Sequence, residues 1–409
     1  MNKSDIKKAR PVVLFVSMPG VIHTGRWMDQ LVDEGWDLHL FSPTATSDLT
    51  VHETVPKSAT LHLVVKQKRA AVRQTGIYYP FERGDRVRLG VTRLHEKIRP
   101  RSVRLANLIE EIRPDIIHTM EISKAGYLAL DAKRVIESRG AKFPKWIYSS
   151  WGNDLYMYGP MPEHGARIRS VLSEIDYMFI DCERDNQLAR DYGFDGPILG
   201  VYPTGGGFPV REMQHGVDVE MQARKTVALK GIIREDNQGR ALTALEALDR
   251  CADVLEGYEI AIYSADRSVI EKAAQINGRL RINVLPPLSH TEFIALMGRT
   301  RLSIGLNISD GTPNTMLESM MMGAFPIQSD TVSTREWIEH GVNGLLVSPE
   351  DPEDLARAVR SVINDESVLK RAAVSNMALI RQRLERAQVR RDVVGAYKSV
   401  LNSGVESTI

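Results

Sequence analysis

Short, wholly apolar runs recur along this chain, and stretches with helical spacing lie between them. Residues 11–17 (PVVLFVS) open the series. A run without polar alternation suits a strand buried on both faces, and both faces are covered only when helices pack above and below a parallel sheet. Residues 37–41 (DLHLF), 61–65 (LHLVV), 116–118, 145–149 and 177–180 continue the strands, with helical spacing at 27–34 and 125–137. The second half repeats the pattern. Strands are predicted at 226–229, 259–263, 281–285, 302–306, 325–327 and 344–347. Helices are predicted at 241–251, 291–297 and 313–322, from Asp351, and over 368–401. Strands alternating with helices predict a doubly wound α/β fold. A chain of 409 residues exceeds what one core holds, so two such domains are expected. The glycines of residues 202–209 (YPTGGGFP) mark the joint. The expected domains are 1–205 and 210–387. The C-terminal helix, about 388–409, is a candidate to pack back on the first.

Composition narrows the function. With 43% hydrophobic and 26% charged residues the chain is an ordinary globular protein, and a net charge of +1 gives no reason to expect a nucleic-acid partner. Two cysteines far apart, Cys182 and Cys251, suit a reducing compartment and lack metal-site spacing. The uncharged run 11–25 is broken by Pro19 and Gly20 and is too short to span a bilayer, so a cytoplasmic protein is expected. Local charge is less even. Residues 66–104, from Lys66 to Arg104, hold twelve Lys and Arg against three Asp and Glu, interleaved with Tyr78, Tyr79 and Phe81. The plain reading is a solvated helical face. The functional reading is a surface drawn to anionic membrane, which would place the protein peripherally on the inner face.

Residues 304–330 (IGLNISDGTPNTMLESMMMGAFPIQSD) carry the most chemistry. A strand ends at a polar turn, 307–311. Thr312 is the expected N-cap, Pro313 the first helical residue, and Gly323 the helix stop. Met316, Leu317, Met320 and Met321 form an apolar stripe, which leaves Asn314, Thr315 and Glu318 together on another face. The unsatisfied N–H groups of a helix start bind anions. Gly311 lets the backbone come close to one. Pro313 has no N–H, so Asn314 and Thr315 are the expected amide donors. Carboxylates at Asp310 and Glu318 would repel phosphate and should face hydroxyl groups. A diphosphate flanked by a sugar and a ribose fits both demands.

This string resembles the signature of glycosyltransferase family 4, retaining enzymes of the GT-B fold. The signature has an acid, Gly, a variable residue, Pro, a Glu eight positions after the acid, and a Gly-x-Pro into the next strand. Here these are Asp310, Gly311, Pro313, Glu318, Gly323 and Pro326. The first acid is usually Glu in the family. The resemblance implies two Rossmann-like domains facing each other across a cleft. It implies a metal-independent hexosyltransferase that takes sugar from a UDP or GDP donor, with retention, to a hydroxyl of a glycan or lipid-linked acceptor in polysaccharide assembly. It implies no cofactor and no metal ion. Asp310 would hold the donor sugar's hydroxyls and Glu318 the ribose.

Residues 226–248 resemble the family's strand, loop and helix that carry phosphate-binding cations. Lys230 and Arg240 take that role here, with Arg234 in reserve, although the usual Gly-Arg is Lys230-Gly231 and the later Lys-Gly is Gln238-Gly239. Residues 340–347 and Asp351-Pro352 resemble the next block. The segment after Leu285 (PPLSH) should frame the base. In the first half the match is an outline. Gly20, His23 and Arg26 follow the first strand, and His118 ends the strand motif PDIIH. Trp151 fills the slot where many relatives carry a His, with Gly152 and Asp154 beside it. The rival expectations are a sugar-nucleotide epimerase of the same fold and a nucleotide-sugar-binding module without catalysis. A dehydrogenase is disfavoured, since no GxGxxG follows a strand.

Overall fold

The apolar runs form strands of two sheets in which every pairing is parallel. The first sheet holds β1 (Val12–Val16), β2 (Asp37–Phe41), β3 (Thr60–Val65), β4 (Arg73–Ile77), β5 (Ile116–Met120), β6 (Lys145–Ser149), β7 (Tyr177–Ile180) and β8 (Ile198–Val201), ordered β4-β3-β2-β1-β5-β6-β7-β8. The second holds β9 (Thr226–Lys230), β10 (Glu259–Tyr263), β11 (Arg281–Val284), β12 (Thr300–Gly305), β13 (Phe325–Ser329) and β14 (Leu345–Val347), ordered β11-β10-β9-β12-β13-β14. The computed structural model describes residues 10–66, 72–77, 85–214, 220–233, 239–276, 278–330 and 333–403. One unit runs to Gly206 and takes in the chain from Gln388 onward, and the other spans Gly207–Ala387.

Successive strand residues point to opposite faces, and here both faces are core. In β1, Val13 and Phe15 pack into one cluster while Leu14 and Val16 pack into another, all 0% exposed. In β9, Val227 and Leu229 face one cluster and Ala228 the other. Each sheet also reverses its winding once. In the first unit the reversal falls between β1 and β5, in the second between β9 and β12. Loops leaving two such strands diverge, which opens a crevice at their C-terminal ends.

Several elements differ from the sequence expectation. The first helix is Ile22–Asp29, not 27–34, because the chain leaves it at Gln30 and makes a tight turn over Val32–Glu34, closed by Gly35 in a left-handed conformation (φ 67°). The edge strands β4 and β8 were not expected, and the helical face read within 66–104 is carried by two helices, Asp85–Ile98 and Arg101–Ile112, the second running beyond that segment. The helix Arg386–Asn402 spaces Val389, Val393, Tyr397 and Val400 onto one face, and these residues fill the core of the first unit. Arg390 pairs with Asp33 at 2.6 Å and Lys398 with Glu34 at 2.8 Å along its flank. Among the described residues no helix is long and apolar enough to cross a membrane.

Candidate active site

The switch point of the second sheet collects most of the donor-side residues. β9 ends on Lys230, and its ammonium lies 3.7 Å from the Asp310 carboxylate in the loop after β12. Asp310 shapes that loop itself, accepting from the Gly311 N–H at 3.1 Å and from the Asn307 side-chain amide at 3.0 Å. The Ser329 hydroxyl donates to the Asn307 carbonyl and Ser333 to that of Gly311. On the other flank Gly239 bridges to Asn307, and the Arg240 N–H donates to Leu306 at 2.7 Å. Gly239 is needed here, because an added Cβ would fall 1.8 Å from the Ile232 carbonyl oxygen. The Arg240 guanidinium is paired with Glu350 at 2.6 Å. Any use of Arg240 by a ligand is thus in exchange with a surface carboxylate. Arg234 lies outside the described residues.

The next helix begins one residue later than its sequence predicts. It spans Asn314–Met321, so Pro313 takes the cap position (φ −68°, ψ 101°) in place of Thr312, with no side-chain cap. Proline's fixed φ suits that position, and its ring leaves the carbonyl free to accept from Met316 and Leu317. Thr312 is buried beneath the turn. The Asn314 and Thr315 amides stand in the first turn, where helix geometry supplies no carbonyl acceptor. Beyond the helix Gly323 takes the left-handed conformation, φ 77°. The stripe Met316, Leu317, Met320 and Met321 is buried as expected, each at 1% exposure or less.

Glu318 is buried too, at 4% exposure, although it lies off that stripe. Its Oε1 sits 2.7 Å from His290 Nε2. His290 opens the helix His290–Arg299, which is fixed by a reciprocal cap between Ser289 and Glu292. Beside this pair, Tyr263 at the end of β10 hydrogen-bonds the Thr315 side chain, and burial pushes its hydroxyl far up from the usual phenol range, with Glu318 adding to the shift. Sequence reasoning missed Tyr263 and gave His290 no role of its own. The capping box S-x-x-E was the one local signal for the second, since it fixes where a side chain just inside that helix starts.

The block 340–347 plays a structural part. His340 Nδ1 accepts from the Leu346 N–H, and Asn343 braces the turn through Glu339 and Trp337. Asp351 caps the helix Pro352–Val362 by accepting from the Glu353 N–H.

The first-unit candidates divide into two groups. His23, Arg26 and Trp151 come together: the His23 and Trp151 rings meet edge-on at 6.0 Å, and His23 and Arg26 both flank Gly205. Gly20 is needed for packing, since a Cβ there would strike the Thr50 hydroxyl. The Gly152 carbonyl accepts from Arg184 at 3.0 Å. His118 and Asp154 face inward instead. His118 is fully buried between Phe15, Trp27, Phe179 and Tyr397, hydrogen-bonded to Ser149 and Tyr397, and burial lowers its pKa to about 3. It is a neutral core residue, not a cleft residue. One Asp154 oxygen accepts from Ile122 N–H, Trp151 N–H and the Tyr148 hydroxyl, which knots two loops together at 1% exposure. Burial, with Glu121 nearby, pushes its carboxyl well up. Neither is placed to meet a ligand.

Comparison with known proteins matches both units. Residues 12–181 match the family model described as glycosyl transferase 4-like, and residues 224–365 that described as glycosyl transferases group 1. No curated protein matches the chain. Among solved structures, a glycosyltransferase from Rickettsia africae is 15% identical, covering 96% of this chain and 99% of that one, with a TM-score of 0.66. Anabaena HepE in complex with UDP and glucose is 12% identical over 95% and 100%, TM-score 0.67. A UDP-forming α,α-trehalose-phosphate synthase from Burkholderia xenovorans is 15% identical over 96% and 99%, TM-score 0.67. With glycosyltransferase models matching both of its units and the two-domain architecture shared along nearly its whole length, the chain belongs to the glycosyltransferases of the GT-B fold.

Proposed function

We propose that the chain moves a hexose from a UDP-hexose, with retention, to a hydroxyl of a glycan or lipid-linked acceptor in polysaccharide assembly. The observation that carries this reading is the grouping of Lys230, the Asp310–Gly311 turn and the start of helix Asn314–Met321 at one sheet switch point, with Glu318 a turn further on. Lys230, Arg240 and the Asn314 and Thr315 amides bind the diphosphate, with Arg234, outside the described residues, in reserve. Gly311, Thr312 and Pro313 keep the turn narrow enough for the backbone to approach it. Asp310 takes the sugar's hydroxyls and Glu318 those of the ribose. Two neighbours in fold point to uridine, since HepE was solved with UDP and glucose and the trehalose-phosphate synthase forms UDP.

Bond breaking between the sugar and the diphosphate leaves charge on the departing oxygens. Fixed cations and amides aimed there are stronger in the transition state than in the bound donor, which is what lowers the barrier. The acceptor hydroxyl attacks from the face the diphosphate leaves, and the leaving phosphate takes its proton. Lys230 and Arg240 do the neutralising work, so no metal ion is needed. His23, Arg26, Trp151 and Gly152 make up the acceptor side. The test is incubation with a panel of UDP- and GDP-sugars. Slow release of free sugar from a UDP donor supports the assignment, and inert behaviour toward every donor refutes it.

We also propose that the enzyme works at an anionic membrane surface on the cytoplasmic side. Within 66–104, the helix Asp85–Ile98 leaves Leu94 and Ile98 at 61% and 79% exposure with Arg93 and Lys97 beside them. Apolar side chains ringed by cations suit a lipid interface. Tyr78, Tyr79 and Phe81 lie outside the described residues.

A further inference from the structure

The first unit contains a cavity of about 290 Å³ that the donor site does not account for. It originates in a break of strand pairing. His62 pairs with Thr75 and Val65 with Ile77, so Leu63 and Val64 together face the single Gly76. Gly76 has φ 130°, a conformation glycine tolerates, and a Cβ there would press to 2.5 Å from the Leu63 carbonyl oxygen. Such bulges bend an edge strand away from its partner. The gap is walled by His95 of helix Asp85–Ile98, by Arg104 and Asn107 of helix Arg101–Ile112, and by Arg99 between them.

The polar groups of this wall are unusual in having so little to bond to. Arg101, next to the cavity, is matched by Asp48 at 3.1 Å and by Glu96. Arg104 has no ion pair among the described residues. Its guanidinium lies over the Phe41 ring at 5.5 Å, and its Nη1 is shut off from solvent without a hydrogen-bond partner. The same holds for Nδ1 of His95. Buried polar groups are nearly always satisfied, so two unsatisfied ones on one cavity wall point to a partner from outside the chain.

Charge points the same way. Arg99 and Arg104 line the cavity against one lining acid, Glu111. Burial and then Arg101 lower the Arg104 pKa, with Asp48 and Glu96 partly opposing. Burial, Arg104 and Arg99 lower that of His95. Burial, His39, Arg104 and Arg73 bring His62 to about 4, with Asp37 partly opposing. The wall thus carries mutual repulsion that an anion would relieve. The geometry favours a tetrahedral, several-oxygen dianion over a carboxylate. Arg99 in the turn between the two helices and Arg104 on the second helix both line the cavity, Asn107 adds a neutral amide, and Phe41 and Leu108 offer an apolar side for the ligand's carbon.

We propose that this cavity binds a phosphate monoester, with Arg99 and Arg104 holding the phosphate, at a site distinct from the donor site of the second unit. The ester could come from a soluble phosphorylated compound or from a lipid headgroup. Full-length protein is titrated calorimetrically with glycerol 3-phosphate, with UDP present in excess. It is also floated with phosphatidylcholine vesicles with and without phosphatidic acid. Arg104→Gln should weaken binding about tenfold, the loss of one charge-assisted bond, and Arg99→Gln about threefold. Because Arg104 also covers Phe41, Arg104→Lys keeps charge and bulk and should bind between wild type and Arg104→Gln. Arg99 is exposed, so Arg99→Gln should fold normally, and it carries the test if Arg104→Gln does not. Binding of glycerol 3-phosphate that both substitutions weaken assigns a soluble ester. Binding only to phosphatidic acid vesicles, weakened by the same substitutions, assigns the headgroup. Absence of both, or binding that neither substitution changes, overturns the proposal.

Discussion

Glu318→Gln separates what the buried pair Glu318–His290 contributes to folding from what it does for a donor. The substitution keeps side-chain shape at a site only 4% exposed, and the new carbonyl can still accept from His290 Nε2 across the present 2.7 Å. Hydrogen bonds to a charged group contribute roughly 1.5–3 kcal/mol and neutral ones roughly 0.5–1.5, so the free protein should lose about 1 kcal/mol. In a domain of this size that lowers the melting midpoint by about 2–4 °C. Binding should suffer more. A carboxylate that accepts from ribose hydroxyls is worth roughly 1.5–3 kcal/mol, and its loss weakens the donor about ten- to a hundredfold. If the contact tightens in the transition state, kcat falls as well. Melting, UDP affinity by calorimetry and turnover should be measured on one preparation. A melting midpoint lowered by some 10 °C with UDP bound normally would refute the reasoning, because Glu318 would then act on the fold alone.

Gly239→Ala should destabilise the second unit by more than about 2 kcal/mol, since a Cβ 1.8 Å from the Ile232 carbonyl forces the backbone apart; urea unfolding measures it, and an unchanged midpoint would show that the loop yields freely. Acid should weaken the first unit. His118 stays neutral in the fold down to about pH 3 and His62 to about pH 4, whereas both protonate near 6.5 when unfolded. The unfolded chain therefore binds more protons below pH 6.5. Stability is fully present above that pH and falls by about 1.4 kcal/mol per pH unit per histidine between roughly 6 and 4. In His118→Gln that slope should drop by one histidine's share, and a slope equal to wild type would remove the residue from the account. If Lys230, Arg240 and the helix amides hold the diphosphate as proposed, transferase activity should survive EDTA; loss restored by Mg²⁺ or Mn²⁺ contradicts this. In flotation, Leu94→Ser with Ile98→Ser should release the protein from anionic vesicles, and equal recovery with neutral and anionic vesicles argues against a membrane role.

The elements legible in sequence were those whose pattern one burial rule decides. β1, β9 and β10 are buried on both faces, and their apolar runs said so, whereas β2 alternates in sequence yet is buried from Leu38 to Phe41. The edge strands were not legible. β4 (RQTGI) is largely exposed and β8 (ILGV) half-buried, so neither carries the signal of a central strand. The loop and helix 307–321 could be read because turn, helix start and carboxylate spacing are all local. Glu318's partner could not, since His290 stands 28 residues earlier on another helix. His118 misled for the same reason in reverse. Its place in PDIIH suited a structural role as well as a functional one, and the residue that claims its ring nitrogen, Tyr397, lies 279 residues on.

That return of the final helix sets an order for synthesis. Until residues 389–400 leave the ribosome, Trp27 and His118 have no Tyr397 hydroxyl to bond, and Phe15, Trp27 and Phe179 lack one wall of their packing. The second unit, by contrast, is complete once Ala387 has emerged. The half made first is therefore the half finished last. At roughly 5–20 residues per second its incomplete core waits about ten to forty seconds while the rest is translated, an interval in which a nascent chain depends on chaperones.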